Sequence, residues 1–234
     1  MYKGRVDSDT EALNKRIDFN KNSKYDLELF IFEKLKLKGN ESILEIGCGT
    51  GKQTIKIKQK YPNVKLTATD ISQKMLDNIQ EKNIKKICID MDKLFFKDIK
   101  FDLILSVYSF YYSKDMVALC KKIRNWVNPG GRVCLFGPSE GTNKEIINLA
   151  NEVKPNSMYH TENFINETQL KEIGIKYEKV YLENKINFKN KDEILTWWKN
   201  HNSYQPDLEF LIKNKIEDSS FSLTKNVLGV ILHV

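Results

Sequence analysis

Ser42–Thr54 reads SILEIGCGTGKQT, an apolar run that meets an acid at Glu45 and then glycines at 47, 49 and 51. A glycine-rich turn between a strand and a helix is a common nucleotide-holding device, and spacing separates its versions. A phosphate-gripping loop of the form GxxxxGK[ST] would need glycine at residue 46, which is Ile46. Gln53 also stands where that loop places its magnesium-binding hydroxyl. A dinucleotide loop of the form GxGxxG, counted from Gly47, would need glycine at residue 52, which is Lys52. The pattern present is ExGxGxG. Its glycines allow a tight turn and close approach of backbone to a ligand. Glu45 places an anion beside that ligand, which suits a positive ammonium better than a pyrophosphate.

Working outward, strands and helices alternate. The strand that contains Glu45 is followed by KQTIKIKQKYP, a short helix stopped by Pro62. VKLTATD is a strand ending in Asp70, and Ser72 is the expected N-cap of a helix over SQKMLDNIQEKN. IKKICID is a third strand ending in an acid, Asp90. FDLILSVYSF is nearly all apolar, as expected of a strand covered on both faces. MVALCKKIRNWV is a helix, NPGG a turn, and RVCLFG a fifth strand. Such alternation predicts a Rossmann-like, doubly wound α/β fold with helices on both faces of a mostly parallel sheet. The tail brings the sheet to seven strands, through YEKVYLEN and VLGVILHV, with two helices, KDEILTWWKNH and DLEFLIKNKIED, inserted between them. The first forty residues read as helix, and KYDLELFIFEKLKL puts Leu27, Phe30, Ile31, Leu35 and Leu37 near one face.

The motifs from Ile43 to Gly137 resemble those of the class I S-adenosylmethionine-dependent methyltransferases. LEIGCGTG is similar to their first motif, and the resemblance implies that Glu45, Gly47, Cys48, Gly49 and Gly51 hold the amino-acid end of S-adenosylmethionine. It implies further that Asp70, with Ile71 after it, binds the ribose hydroxyls, and that Asp90 and Met91 meet the adenine. The end of the fourth strand, with Ser106, would face the transferable methyl. Two carboxylates at the C-terminal ends of successive parallel strands agree with this, because that edge is where such sheets bind ligands.

On the acceptor side, Tyr108, Tyr111 and Tyr112 follow the fourth strand. His160 is the titratable candidate for a general base, with Tyr111 and Tyr112 as the other catalytic candidates. Trp197 and Trp198 are candidate substrate residues; as helix neighbours they cannot both face one way, so one is expected to pack inward and the other to cap the pocket. The fourth-strand end reads SVYS, without the [DNS]PP[YFW] used on amino groups of bases or glutamine, and no Pro-Cys nucleophile is present. The expected acceptor is therefore a small molecule methylated at O or N. The alternatives are an RNA-modifying enzyme, a non-catalytic cofactor-binding partner subunit and, least supported, a dinucleotide oxidoreductase.

The 234 residues suit one methyltransferase domain. Its expected parts are an N-terminal helical segment (1–40), a cofactor core (41–137), an acceptor lid (138–220) and a closing strand (221–234). Net charge is +7, but acids interleave with the lysines, so solvated faces are expected rather than a nucleic-acid groove. Cys48, Cys88, Cys120 and Cys134 have no zinc spacing and read as buried reduced thiols, with no metal expected. No long uncharged apolar run and no signal-peptide core occur, so a cytoplasmic location without a membrane span is expected. Oligomeric state is left open.

Overall fold

The computed structural model describes residues 10–201, 204–216 and 220–234. The helical reading of residues 1–9, and the lid reading of 202, 203 and 217–219, lie outside the described residues. Helices α1 (Thr10–Asp18) and α2 (Leu27–Leu35) come first. The alternating core follows: β1 (Ser42–Ile46), α3 (Lys52–Lys60), β2 (Lys65–Asp70), the single turn α4 (Gln73–Leu76), β3 (Ile84–Cys88), β4 (Phe101–Val107), α5 (Met116–Ile123) and β5 (Val127–Pro138). Then come α6 (Lys144–Val153), α7 (Glu167–Ile173), β6 (Tyr177–Leu182), β7 (Lys185–Phe188), α8 (Lys191–Lys199), α9 (Pro206–Lys215), β8 (Phe221–Thr224) and β9 (Val227–His233). No helix among the described residues is long and apolar enough to cross a membrane.

The chain divides into two compact units. The sheet unit comprises Ile31–Gly137, Phe164–Val180 and Leu228–Val234. Its seven strands run in the order β3-β2-β1-β4-β5-β9-β6. β1 pairs in parallel with β2 and β4, β2 with β3, and β4 with β5. The order reverses direction between β1 and β4, which creates the crevice where open α/β sheets take ligands. The register Ile46↔Thr69 and Asp70↔Cys88 brings the C-terminal ends of β1, β2 and β3 to one edge. Leu44, Ile46, Ile104, Val133 and Leu135 anchor the core beneath that edge, all essentially without solvent contact.

The second unit comprises Met1–Phe30, Pro138–Asn163 and Tyr181–Val227. Its centre is an antiparallel pair, β7 with β8. Ile146, Ile147, Phe188, Ile194 and Leu223 form its core together with both tryptophans of α8.

Four sequence expectations change here. The stretch 138–220 is not one continuous part, because residues 164–180 return to the sheet unit, where α7 packs on α5 and buries Leu170 and Ile173. The pair β7–β8 was not foreseen. Helix α4 ends at Leu76 rather than running to Asn83, since the Asn78 side-chain Nδ2 donates to the Lys74 carbonyl at 2.8 Å and competes with the helical ladder. Cys88 is exposed, because β3 is the edge strand, whereas Cys48, Cys120 and Cys134 are buried.

Candidate cofactor site

The glycine loop closes the end of β1. Gly47, Gly49 and Gly51 all have left-handed backbones, with φ of 68°, 55° and 79°. At Gly47 the requirement is steric as well: an added Cβ would lie 2.3 Å from Ser109 Oγ and 2.5 Å from Ser109 Cβ. The loop is tied to the neighbouring strand by the Cys48 amide, which donates to the Thr69 carbonyl at 2.9 Å. Ser72 caps α4 as expected, accepting from the Met75 amide at 3.4 Å.

Three acids converge on this edge, each held differently. Glu45 is buried, 2% exposed, and accepts from the Thr54 hydroxyl. Burial drives its carboxyl up to about 7; the Thr54 hydrogen bond opposes the shift and the nearby Asp70 charge adds to it. Asp70 is half-buried and accepts the Gly49 amide at 2.8 Å with one oxygen and the Ser72 amide at 2.9 Å with the other. Each of its oxygens keeps a lone pair for a ligand hydroxyl. Asp90 accepts the Asp92 amide at 3.0 Å and begins the 3₁₀ turn Met91–Lys93.

The end of β4 completes the edge. Ser106 is buried and donates to the Ile46 carbonyl at 2.9 Å; Ser109 reaches the same carbonyl at 2.8 Å and Ser106 Oγ at 2.7 Å. Tyr108, between them, has φ 53°, an uncommon conformation for a bulky residue. Its amide donates to the Phe136 carbonyl at 2.7 Å, which helps to hold that backbone. The Met91 methyl lies 3.7 Å from where a Gly47 Cβ would sit, so the ends of β1, β3 and β4 meet at one place.

The residues fit S-adenosylmethionine rather than a phosphate-rich nucleotide. A buried acid whose ionisation is suppressed is favoured in its charged form by a cation, and this ligand brings an ammonium and a sulfonium. A pyrophosphate would meet Glu45 and Asp70 with like charge. Comparison with known proteins agrees. Residues 43–131 match the family model described as a methyltransferase domain. The chain is 31% identical over 137 residues to malonyl-[acyl-carrier protein] O-methyltransferase 2 of Ilyobacter polytropus, covering 56% of this chain and 52% of the relative. It is 32% identical over 112 residues to (S)-coclaurine N-methyltransferase of Thalictrum flavum, covering 45% and 30%. The chain thus spans about half or less of the length of these relatives. The YcgJ protein of Bacillus subtilis shares the fold, with a TM-score of 0.62 at 16% identity over 88% of this chain and 97% of that one.

Over residues 43–131 the chain is similar to the S-adenosylmethionine-dependent methyltransferases. Gly47, Gly49, Gly51, Asp70, Asp90, Met91 and Ser106 lie at the C-terminal ends of β1, β2, β3 and β4, on one sheet edge. Ile71 is 54% exposed beside Asp70, and Cys48 is buried with its thiol pushed far up by burial, so it offers backbone rather than a thiolate. Three contributors were missed: Thr54, which holds Glu45; Ser109, which fills the space beside Gly47; and Gln53, whose buried Oε1 lacks a protein partner. Only Gln53 had a signal in the sequence, its place in the first turn after the loop.

The acceptor-side candidates are divided between the two units. Tyr111 and Tyr112 form a 3₁₀ turn after β4, with ring centroids 4.7 Å apart and Tyr111 also 6.4 Å from Phe164. Burial raises the Tyr108 phenol above its ordinary value, which makes it a poor base. His160 is exposed in the second unit. Trp197 and Trp198 are corrected: both are buried, at 1% and 0% exposure, so neither forms a solvent-facing rim. They do face different ways, but α8 is covered on both sides. Trp197 meets Phe188 at 6.1 Å, and Trp198 meets Tyr204 at 6.0 Å.

Glu45 makes stability pH-dependent. Its folded value of about 7 lies above the ordinary 4.5. Between those values the unfolded chain releases a proton that the folded chain keeps, so stability falls as pH rises through the window. Glu45→Gln retains an acceptor for Thr54 and removes the proton. Denaturant unfolding from pH 4.5 to 8 should show the two proteins alike at the acid end. Above pH 7 the variant should be more stable by about 2–4 kcal/mol. Parallel curves would show that Glu45 titrates normally.

Proposed function

We propose that the protein transfers the S-adenosylmethionine methyl group to an oxygen or nitrogen of a small-molecule acceptor. The observation that carries this reading is the buried Glu45 and the half-buried Asp70 set around a glycine loop with left-handed backbone at all three glycines. Bound S-adenosylmethionine supplies a carbon already activated on positive sulfur, so alignment and exclusion of water matter more than a dedicated acid or base. Asp70 would accept the ribose hydroxyls, Asp90 the adenine amino group, and Glu45 would balance the ligand's positive charge from beneath the loop. Ile71 and Met91 supply apolar surface for the base. Tyr111 and Tyr112 wall the place from which an acceptor enters. The aligned relatives are named as O- and N-methyltransferases, which supports acceptors of that kind. Residues 138–220, outside the matched family region, are the proposed source of acceptor choice, with His160 as their titratable member.

The test is methyl transfer from labelled S-adenosylmethionine to a panel of small carboxylates, amines and phenols, with bulk RNA alongside. Transfer to a small molecule is expected, and His160→Ala should lower it several-fold while S-adenosylhomocysteine affinity stays unchanged. RNA as the sole acceptor would overturn the reading. Tight cofactor binding with no transfer to anything would instead favour a partner subunit.

A further inference from the structure

One side chain ties the turn after β3 to the turn after β4, and donor binding alone does not require it. Asp92 lies two residues past Asp90, in the 3₁₀ turn Met91–Lys93. It is half-buried, and its amide donates to Asp90 Oδ1 at 3.0 Å. Its carboxylate reaches the other turn. Oδ1 accepts the Ser113 hydroxyl at 2.6 Å, and Oδ2 accepts the Lys114 amide at 3.1 Å. The Lys122 ammonium, on α5, donates to the Asp92 carbonyl at 3.2 Å. Ser113 and Lys114 directly follow the turn Phe110–Tyr112. That turn closes on itself through the Tyr112 amide to the Ser109 carbonyl at 3.0 Å and the Ser113 amide to the Phe110 carbonyl at 3.1 Å. Its start is pinned to β1, where the Ser109 hydroxyl meets the Ile46 carbonyl at 2.8 Å. Tyr111 and Tyr112 are thus held between two fixed points, one beside Gly47 and the other beside Asp90.

We infer that Asp92 is a positioning residue for methyl transfer, which sets the Tyr111–Tyr112 turn against the donor and carries the ordering of the Asp90 turn to it. The inference rests on the proposed function, which gives Asp90 the adenine amino group. One Asp90 oxygen takes the Asp92 amide, and the other is the one that would meet the ligand. Whatever fixes Asp90 therefore fixes the backbone of Asp92. The carboxylate passes that constraint to a turn 21 residues away through a short charge-assisted hydrogen bond, backed by a second bond from Lys114. An ionised carboxylate suits the place because it accepts from both donors at once. An asparagine would offer one oxygen and set its own N–H groups against the remaining donor. Alignment is what the transfer needs from the protein, and a misplacement of about 1 Å can cost on the order of a hundredfold in rate. Asp92 touches neither donor nor acceptor in this scheme and acts through the tyrosines.

The probe is S-adenosylhomocysteine, added to the full chain, with amide hydrogen exchange as the readout. In the unaltered protein the ligand should slow exchange in the Met91–Lys93 turn and also at the Tyr112 and Ser113 amides. Asp92→Ala should keep the first effect and bind S-adenosylhomocysteine within about threefold of the unaltered chain, but lose the second. Asp92→Asn should recover part of it. With an acceptor in hand, Asp92→Ala should lower kcat at least tenfold and leave the KM for S-adenosylmethionine unchanged. Ligand-dependent slowing at Tyr112 and Ser113 that persists in Asp92→Ala, its absence from the unaltered chain, or a normal kcat in the variant each overturns the inference. The exchange readings need no acceptor, so failure to methylate any small molecule counts against the proposed function alone. Should Asp92→Ala fail to fold, Ser113→Ala, which leaves the carboxylate and its Lys114 bond in place, should show the same loss in weaker form. Full ligand-dependent slowing in that variant overturns the inference.

Discussion

Gly47→Ala is expected to abolish measurable cofactor binding and to cost about 2–5 kcal/mol of stability. Two effects add. An L-residue in the left-handed conformation costs about 1–2 kcal/mol, and Gly47 has φ 68°. The new methyl would also stand 2.3 Å from Ser109 Oγ, far inside contact distance. Ser109 has little freedom to retreat, because its hydroxyl is engaged with the Ile46 carbonyl and Ser106. The loop must therefore shift, and with it the backbone that meets the ligand. Two companions separate the causes. Gly130→Ala has a similar φ of 76° with nothing within 4 Å of the added Cβ, so it should cost only the backbone part, roughly 1–2 kcal/mol, and leave binding intact. Ser109→Gly placed on Gly47→Ala should recover the steric part, about 1–3 kcal/mol. Calorimetry with S-adenosylhomocysteine and denaturant melts read both. If Gly47→Ala binds normally, the close approach at Ser109 has no bearing on the ligand.

Asp70→Ala is the second large effect. The side chain serves the ligand and the loop at once, since its oxygens already take the Gly49 and Ser72 amides. Charge-assisted hydrogen bonds of this kind are worth about 1.5–3 kcal/mol each. Removing the carboxylate should weaken S-adenosylhomocysteine binding at least tenfold and speed amide exchange at Gly49. Asp70→Asn, which keeps one acceptor oxygen, should fall between. A folded alanine variant with unchanged affinity and unchanged exchange would mean that the carboxylate is only a local turn feature.

The cofactor edge was legible in the sequence because its signals are local. A glycine is needed where the backbone is left-handed, an acid ends a strand, and a hydroxyl caps the next helix; each can be read within about ten residues. The alternation of apolar runs with amphipathic segments likewise implied a parallel sheet, whose edge then gathers residues from successive strands. Ser72 and the acids Asp70 and Asp90 stand where that logic put them.

What the sequence by itself determined is thus the sheet class, the glycine loop and the acids around it. Only the tertiary structure decided which groups lie opposite them. Ser109 meets the Ile46 carbonyl across 63 residues of chain, and Thr224 meets Glu145 across 79. The β7–β8 pair joins segments separated by α8 and α9, so no hairpin turn announces it. The same reason explains Trp197 and Trp198: helical periodicity says that they point apart, but only the packing of Phe188 on one side and of Tyr204 on the other says that both are buried. Asp92, read as one acid among many, became distinctive only once folding set its carboxylate on Ser113 and Lys114, 21 and 22 residues further along the chain.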